Sequence, residues 1–238
     1  MSEYWLTIVT VCWNSAPTIG RTLDSVSKQD LSGVQYIVVD GGSTDGTVNM
    51  VRERRDLSVE IISEPDDGIY DAMNKGVGAA KGEYILLLNS DDELVCKDVL
   101  TRLRKALVRD CLNYGGVLID RRARIIDTCK RRFRRWRMWY RMEIYHPAVI
   151  VRRDQYADCG LYDTSLRIAA DADMIFRLSA RYPLNKIEFP IVRMHSGGIS
   201  TSAAADGYRE FSEVTVRYGF PRVLAWAIYR LKSFMFVR

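Results

Sequence analysis

Two apolar runs in the first part of the chain end in carboxylates, and those carboxylates are the first candidates for chemistry. Residues 34–39 run into Asp40 and the turn Gly41-Gly42-Ser43-Thr44-Asp45-Gly46; residues 84–88 run into Asn89, Ser90, Asp91 and Asp92. The neighbours Asp91 and Asp92 suit a hard divalent cation, because magnesium takes one or two protein carboxylates and fills its shell with water and phosphate oxygens. The pattern points to a metal-chelated diphosphate at a loop rim, with the loop after Asp40 receiving the group attached to it. Residue types alone leave alternatives open. Asp91-Asp92 also suits the cap of a helix before Leu94, and Asp40 also suits an Asx turn that holds its own loop.

A third carboxylate, Asp171, stands at the start of a helical pattern over 171–182, with Met174, Ile175 and Leu178 facing in. A positioned carboxylate can take the proton of an attacking hydroxyl, and Asp171 is preferred to Asp173 for that role; capping is the alternative for both. His195 precedes Ser196-Gly197-Gly198, which reads as a mobile loop, and is a candidate third metal ligand or diphosphate contact, or else a solvated residue. His146, before Pro147, reads as a structural histidine first and an acceptor-side contact second. Asp66, Asp67 and Asp71 crowd a helix start, where they either cap or approach a donor.

The elements that must carry these groups alternate. Residues 6–13 are nearly all apolar or β-branched and read as a strand buried on both faces. Strands over 34–39, 59–62 and 84–88 alternate with helices, which argues for a parallel α/β sheet. Over 69–80, Ile69, Ala72, Met73, Gly76, Val77 and Ala80 share one helical face, so Tyr70, Asp71, Asn74 and Lys75 are expected to point away from the core. A helix is predicted over 97–108, strands over 117–119 and 148–151, and a strand over 187–194 that Pro190 makes an edge or breaks. A last helix pair breaks near Gly219-Phe220-Pro221.

The chain of 238 residues has a net charge of +5 that hides an asymmetry. Residues 1–120 carry 12 Lys/Arg against 19 Asp/Glu, while residues 121–238 carry 23 against 11, so the second part suits an anionic partner. No apolar run reaches the roughly 18–20 residues of a membrane span. The five cysteines form no CxxC pair, and with no signal peptide apparent they read as reduced thiols of a cytosolic protein. The run 130–141 (KRRFRRWRMWYR) interleaves seven basic residues with four aromatics, and 221–238 repeats the theme with Trp226, Leu231, Arg222 and Arg230. Both suit an anionic bilayer surface. The alternatives are a solvated loop at 130–141 and a core-closing helix at the end.

The strand TIVTVCWN, the loop VDGGSTDGT, the helix start EPDDGIYDAMNKG, the segment AKGEYILLLNSDD and the stretch GLYDTSLRIAADADMIFRL together resemble family 2 of the inverting glycosyltransferases. The wording EPDDGIYDAMNKG is similar to that of bacterial exopolysaccharide, colanic acid and O-antigen transferases. The resemblance implies the GT-A fold, a mostly parallel α/β sheet flanked by helices, in a domain over 1–203. Its nucleotide-binding half would span 1–93 and its acceptor half 94–203, with amphipathic helices over 204–238. It further implies a nucleotide-diphosphate-sugar donor, Mg2+ or Mn2+, and displacement with inversion. Asp171 matches the family's base. Thr10, Asn14, Asp40, Asp71, Asn74, Asn89 and Asp91 fall on the donor side, and Asp92, Asp91 and His195 on the metal. Met73-Asn74 stands where the family often has Arg-Asn, and Ala170-Asp171 where it often has Glu-Asp.

The expected function is therefore sugar transfer in bacterial surface polysaccharide assembly, onto a lipid-linked or saccharide acceptor. It would take place in the cytoplasm, peripherally on the inner face of the plasma membrane, with no nucleic acid bound. The competing reading is a non-enzymatic nucleic-acid- or anionic-surface-binding protein that uses the 130–141 run. A dinucleotide enzyme is disfavoured, because Cys12-Trp13-Asn14-Ser15 follows the first strand where a GxGxxG turn would stand.

Overall fold

The computed structural model describes residues 3–121, 124–129, 133–195 and 204–236. The predicted Ser196-Gly197-Gly198 loop and the start of the basic run, 130–132, lie outside the described residues. The elements run β1 (Leu6–Cys12), α1 (Ala16–Ser27), β2 (Val34–Asp40), α2 (Thr47–Arg52), β3 (Glu60–Ser63), α3 (Ile69–Ala79), β4 (Tyr84–Leu87), β5 (Asp92–Leu94) and α4 (Val99–Ala106). They continue with β6 (Leu112–Arg121), β7 (Arg124–Asp127), β8 (Val149–Arg152), α5 (Arg153–Cys159), α6 (Ala170–Arg181), β9 (Leu184–Met194), α7 (Ala204–Arg217) and α8 (Arg222–Phe236). Short 3-10 turns occupy Arg135–Trp139 and His146–Ala148.

One sheet of nine strands runs β3-β2-β1-β4-β8-β6-β9-β5, with β7 hung on β6. Strands β1 to β4 pair in parallel. Beyond β4 the sheet is mixed: β8 is antiparallel to β4 and β6, β9 is parallel to β6, and β5 is antiparallel to β9. Successive residues of a strand point to opposite faces, so β1 feeds two cores. Val9 and Val11 pack with Met73 and Val77 of α3 and Ile175 of α6. Leu6 and Ile8 pack with Ile19 and Leu23 of α1 and Leu100 and Leu103 of α4. Helix α3 presses close to the sheet: a Cβ on Gly76 would sit 2.3 Å from Cγ1 of Val9.

Two expectations, on Pro190 and Tyr70, and two alternatives, the helix cap at Asp91-Asp92 and the solvated loop at 130–141, are revised by the fold. Asp92 does not lead into a helix before Leu94; it opens β5, whose three residues pair with Met194, Arg193 and Val192, and the helix waits until Val99. Pro190 does not break β9, and it lies on the part of β9 whose described neighbour is β6 alone, since β5 pairs only with Val192, Arg193 and Met194. It sits opposite Gly116, where the β6–β9 register shifts, so a bulge absorbs the missing N–H. Tyr70 does not point away from the core but is buried. The basic run is not a solvated loop over its described part, because Met138 is fully buried and Trp139 stacks on Phe220 with ring centroids 5.3 Å apart.

Candidate active site

The carboxyl ends of β1, β2, β3 and β4 lie along one edge of the sheet, and their loops are stitched together. Ser90 bonds Ser15 hydroxyl to hydroxyl at 2.9 Å, and the Ser15 N–H donates to Thr47 Oγ1 at 2.8 Å. The Asn14 N–H donates to Ser43 Oγ at 2.7 Å, and Asn14 Oδ1 accepts the Thr44 N–H at 2.9 Å. Asn14 does this at φ +47°, in the left-handed region that asparagine tolerates better than most residues. The loop after β2 meets the lead into α3 at Gly41, where a Cβ would stand 2.3 Å from Asp66 Oδ2. Such a rim at the strand ends is where open α/β sheets bind ligands.

Asp40 is fully buried at the end of β2. Its Oδ2 accepts the N–H groups of Gly42 (3.1 Å) and Ser43 (3.0 Å) and the Ser63 hydroxyl (2.9 Å). Burial pushes its carboxyl up, but the bonds from Ser43, Ser63 and Gly42 outweigh that and hold it below the ordinary carboxylate value. Asp40 thus shapes the glycine-rich loop, and the loop is what reaches the rim. Thr10 is also fully buried, with its hydroxyl 3.1 Å from that of Tyr36.

Asp92 is only 2% exposed. Its Oδ2 accepts one hydrogen bond, from Asn89 Nδ2 at 3.1 Å. Desolvation first, and the neighbouring Asp91 charge second, push its carboxyl up to about 8, against the Asn89 bond. Asn89 Oδ1 is buried with no hydrogen-bond partner among the described residues. A buried carboxylate with a like charge beside it, next to an orphaned carbonyl oxygen, is a donor set that a divalent cation would satisfy. The residues therefore fit Mg2+ or Mn2+. Among the described residues no three His, Cys, Asp or Glu side chains converge as a metal cage. His195 is occupied elsewhere, with Nε2 2.5 Å from Glu93 Oε1 and Nδ1 3.2 Å from Asp120 Oδ2.

Asp171 is the second residue of α6, and its Oδ1 accepts the Ala172 N–H at 2.7 Å. Burial pushes its carboxyl up to about 6, against the Ala172 N–H and the Tyr70 hydroxyl. Tyr70 reaches it from the start of α3: its hydroxyl donates to the Ile168 carbonyl at 2.6 Å, and its ring stacks on Tyr162 at 5.8 Å. Asp173 is spent on Arg177 (2.9 Å) and the Tyr218 hydroxyl (2.8 Å). Of the two acids at this helix start, Asp173 has a cation and Asp171 has none among the described residues.

Asn74 spends both ends of its amide on the Tyr162 backbone. Asp71, in the first turn of α3, accepts the Asp67 N–H at 3.2 Å and pairs with Lys75 at 3.3 Å, which ties it to the turn that leads into the helix. His146 is buried, 2.7 Å from the Tyr162 hydroxyl, and burial alone pulls its imidazole down to about 4, so it is a neutral core histidine. Tyr70 is the residue that sequence reasoning missed near Asp171; what buries it is a segment nearly a hundred residues away, and local spacing carries no trace of that.

A parallel αβ half whose rim holds an acidic pair, joined to a mixed half that supplies a second carboxylate, is the GT-A architecture of glycosyltransferases. The chain belongs to a family within that class: the model described as "Glycosyl transferase family 2" matches residues 7–167. A PGL/p-HBAD biosynthesis glycosyltransferase of Mycobacterium bovis is 30% identical over 190 residues, covering 74% of this chain and 70% of that protein. The succinoglycan biosynthesis protein ExoO of Rhizobium meliloti is 39% identical over 116 residues, 48% of this chain and 32% of that one. In fold, the chain is similar to S. aureus TarS in complex with UDP-GlcNAc, with TM-score 0.69 and 16% identity, covering 94% of this chain and 70% of that one. It is also similar to the mannosyltransferase PcManGT of Pyrobaculum calidifontis in complex with GDP-Man and Mn2+, with TM-score 0.67 and 19% identity, covering 95% and 70%.

Proposed function

We propose that this glycosyltransferase moves a sugar from a nucleotide-diphosphate donor to an acceptor hydroxyl by direct displacement with inversion. The acceptor oxygen bonds to the anomeric carbon as that carbon's bond to the diphosphate oxygen breaks, and Asp171 takes the hydroxyl proton. The observation that carries this reading is the Asp171 carboxyl. It is half-buried, unpaired with a cation among the described residues and raised to about 6, so it is ionised at neutral pH yet basic enough to accept a proton. The loops after β1 and β2 hold the nucleotide, and Asn89, Asp91 and Asp92 hold a Mg2+ or Mn2+ ion. When bound, that ion offsets the charge of the leaving diphosphate. Donor chemistry of this kind is supported by the UDP-GlcNAc and GDP-Man carried by the structural neighbours.

The acceptor we propose is lipid-linked, in assembly of a surface polysaccharide or glycolipid, at the cytoplasmic face of the plasma membrane. The mycobacterial and rhizobial relatives, both named for biosynthesis of such products, support it, as do the exposed Trp226 and Leu231 beside Arg222 and Arg230. Among the described residues no helix is long and apolar enough to cross a membrane, so the contact would be peripheral.

The test is a screen of UDP-, GDP- and dTDP-sugars by thermal shift with Mn2+, since a ligand of the native state raises its stability by mass action. Transfer with the donor that binds is then followed by NMR of the anomeric centre. A product retaining the donor's anomeric configuration would reject direct displacement, and absence of any donor shift would reject the donor class.

A further inference from the structure

The start of α6 is held from outside by a single buried carboxylate. Glu210 on α7 is 7% exposed, and its partners are backbone N–H groups rather than a cation. Oε2 accepts the N–H groups of Ile168 at 2.7 Å, Ala169 at 3.0 Å and Arg167 at 3.1 Å, and Oε1 shares the Arg167 N–H at 3.1 Å. Ala169 is the N-cap residue of α6, and its own side chain caps nothing. Of these donors only the Ala169 N–H belongs to the free groups at the helix start, which have no partner within it and attract an anion; the other two belong to the turn that leads in. Here the anion comes from a helix some forty residues further on. The same turn is gripped on its other side by the Tyr70 hydroxyl at the Ile168 carbonyl. Two residues after the gripped turn comes Asp171.

We infer that Glu210 is a positioning residue for transfer: by holding the 167–169 turn against Tyr70 it sets where the Asp171 carboxylate stands. The inference rests on Asp171 being the base. Its consequence is that α7 belongs to the catalytic unit. The rest of α7 agrees: Val214 is fully buried in the core that contains Ile175 and Phe176, Arg217 pairs with Asp163 at 2.7 Å, and Tyr218 stacks on Phe176 at 4.8 Å. In Glu210→Gln the amide oxygen can stand in for Oε2, but the NH2 then faces the Arg167 N–H that Oε1 shared and the charge that attracts all three donors is gone, so the grip weakens while the volume is kept.

The experiment compares Glu210→Gln, Asp171→Asn and their double variant in the full chain, by steady-state transfer and by donor binding, per mole of folded protein. For Glu210→Gln the expected result is a fall in kcat of roughly 10–100-fold with the donor Kd and KM unmoved, as a small misplacement of a reacting group costs. The double variant should be no slower than Asp171→Asn alone, because residues acting as a unit are not additive. Unchanged kcat in Glu210→Gln, or a double variant slower by the product of the two effects, overturns the inference. Turnover retained in Asp171→Asn removes the base assignment instead. If Glu210→Gln does not fold, Glu210→Asp, which keeps the charge but shortens the reach to the 167–169 turn, takes its place and should show the same kcat loss at constant donor affinity; wild-type kcat there overturns the inference.

Discussion

Asn74 and Tyr162 are joined by two hydrogen bonds of opposite sense. Asn74 Oδ1 accepts the Tyr162 N–H at 2.9 Å, and Asn74 Nδ2 donates to the Tyr162 carbonyl at 2.9 Å. The pair ties α3, on the parallel half, to the segment that leads into α6. Both backbone groups of Tyr162 depend on this one amide, so Asn74→Ala leaves a buried donor and acceptor unpaired. Each such loss costs about 1–3 kcal/mol. The expected outcome is a lower urea midpoint with donor affinity unchanged in the folded fraction. A loss of donor affinity at unchanged stability would place Asn74 on the donor instead.

Asp171 gives the pH dependence of transfer. A base must be ionised to act, and burial raises this carboxyl to about 6. The rate should therefore be low below pH 6, climb through about 6 and level off above it. Asp171→Asn should still bind donor, lose roughly 10²–10⁴-fold in kcat and show no such limb. An acid limb that persists unchanged in Asp171→Asn would assign it to another group.

What could be read from the sequence, and what could not, divides by how local the cause is. Strand β1 was legible because its burial on both faces demands an unbroken apolar run. The α3 spacing of Ala72, Met73, Gly76 and Val77 was legible because one face of one helix meets one sheet. Strand β5 was not, because its three residues become a strand only by pairing with β9, a hundred residues later. Tyr70 shows the same limit, since what covers it is Tyr162 and the 168 turn. So does Glu210, which has nothing in its neighbourhood of sequence to mark it among the other acids of α7, Asp206 and Glu213. The carboxylates of the candidate site could be picked out in advance, while the groups that hold them in place come from distant chain.

Asp92 links pH, metal and stability. Its folded-state carboxyl, pushed up to about 8 by burial and Asp91, titrates far above its ordinary value of 3.8. The folded protein then keeps a proton that the unfolded chain releases. Its stabilising effect is complete below pH 4 and is lost as pH rises through about 8. A bound cation replaces that proton and reverses the trend. In chelator the melting temperature should fall between pH 5 and 8, and Mn2+ should raise it more at pH 8 than at pH 5. Asp92→Asn should flatten both responses and abolish metal-dependent donor binding. Identical Mn2+ shifts at both pH values would separate the metal from Asp92.

Gly76 tests the packing that places the rim. Its missing Cβ leaves room for Val9 of β1, at 2.3 Å from where that atom would stand. Gly76→Ala should push α3 off the sheet and cost about 1–3 kcal/mol, the usual range for an overpacked core. Alanine is otherwise the better helix former, so a stabilised variant in urea unfolding would mean that the helix moves freely over β1.

Helix α8 gives the membrane prediction. Ala225 is buried, while Val223 is 77%, Trp226 60% and Leu231 62% exposed. Lys232 donates to the Tyr140 carbonyl, and Trp139 stacks on Phe220, so the described part of the basic run and the helix pack into one unit. Its basic residues include Arg222, Arg230, Arg134 and Arg135, with Trp136 exposed among them. Each basic residue near an anionic bilayer contributes on the order of 1 kcal/mol, and apolar side chains add by insertion. The protein should sediment with vesicles containing phosphatidylglycerol at moderate salt, release at high salt and ignore purely zwitterionic vesicles. The double change Trp226→Ala and Leu231→Ser should weaken sedimentation while leaving donor binding intact, because neither residue touches the rim loops. Sedimentation unaffected by both the salt and the double change would move the contact to another face, and no sedimentation at all would end the membrane reading.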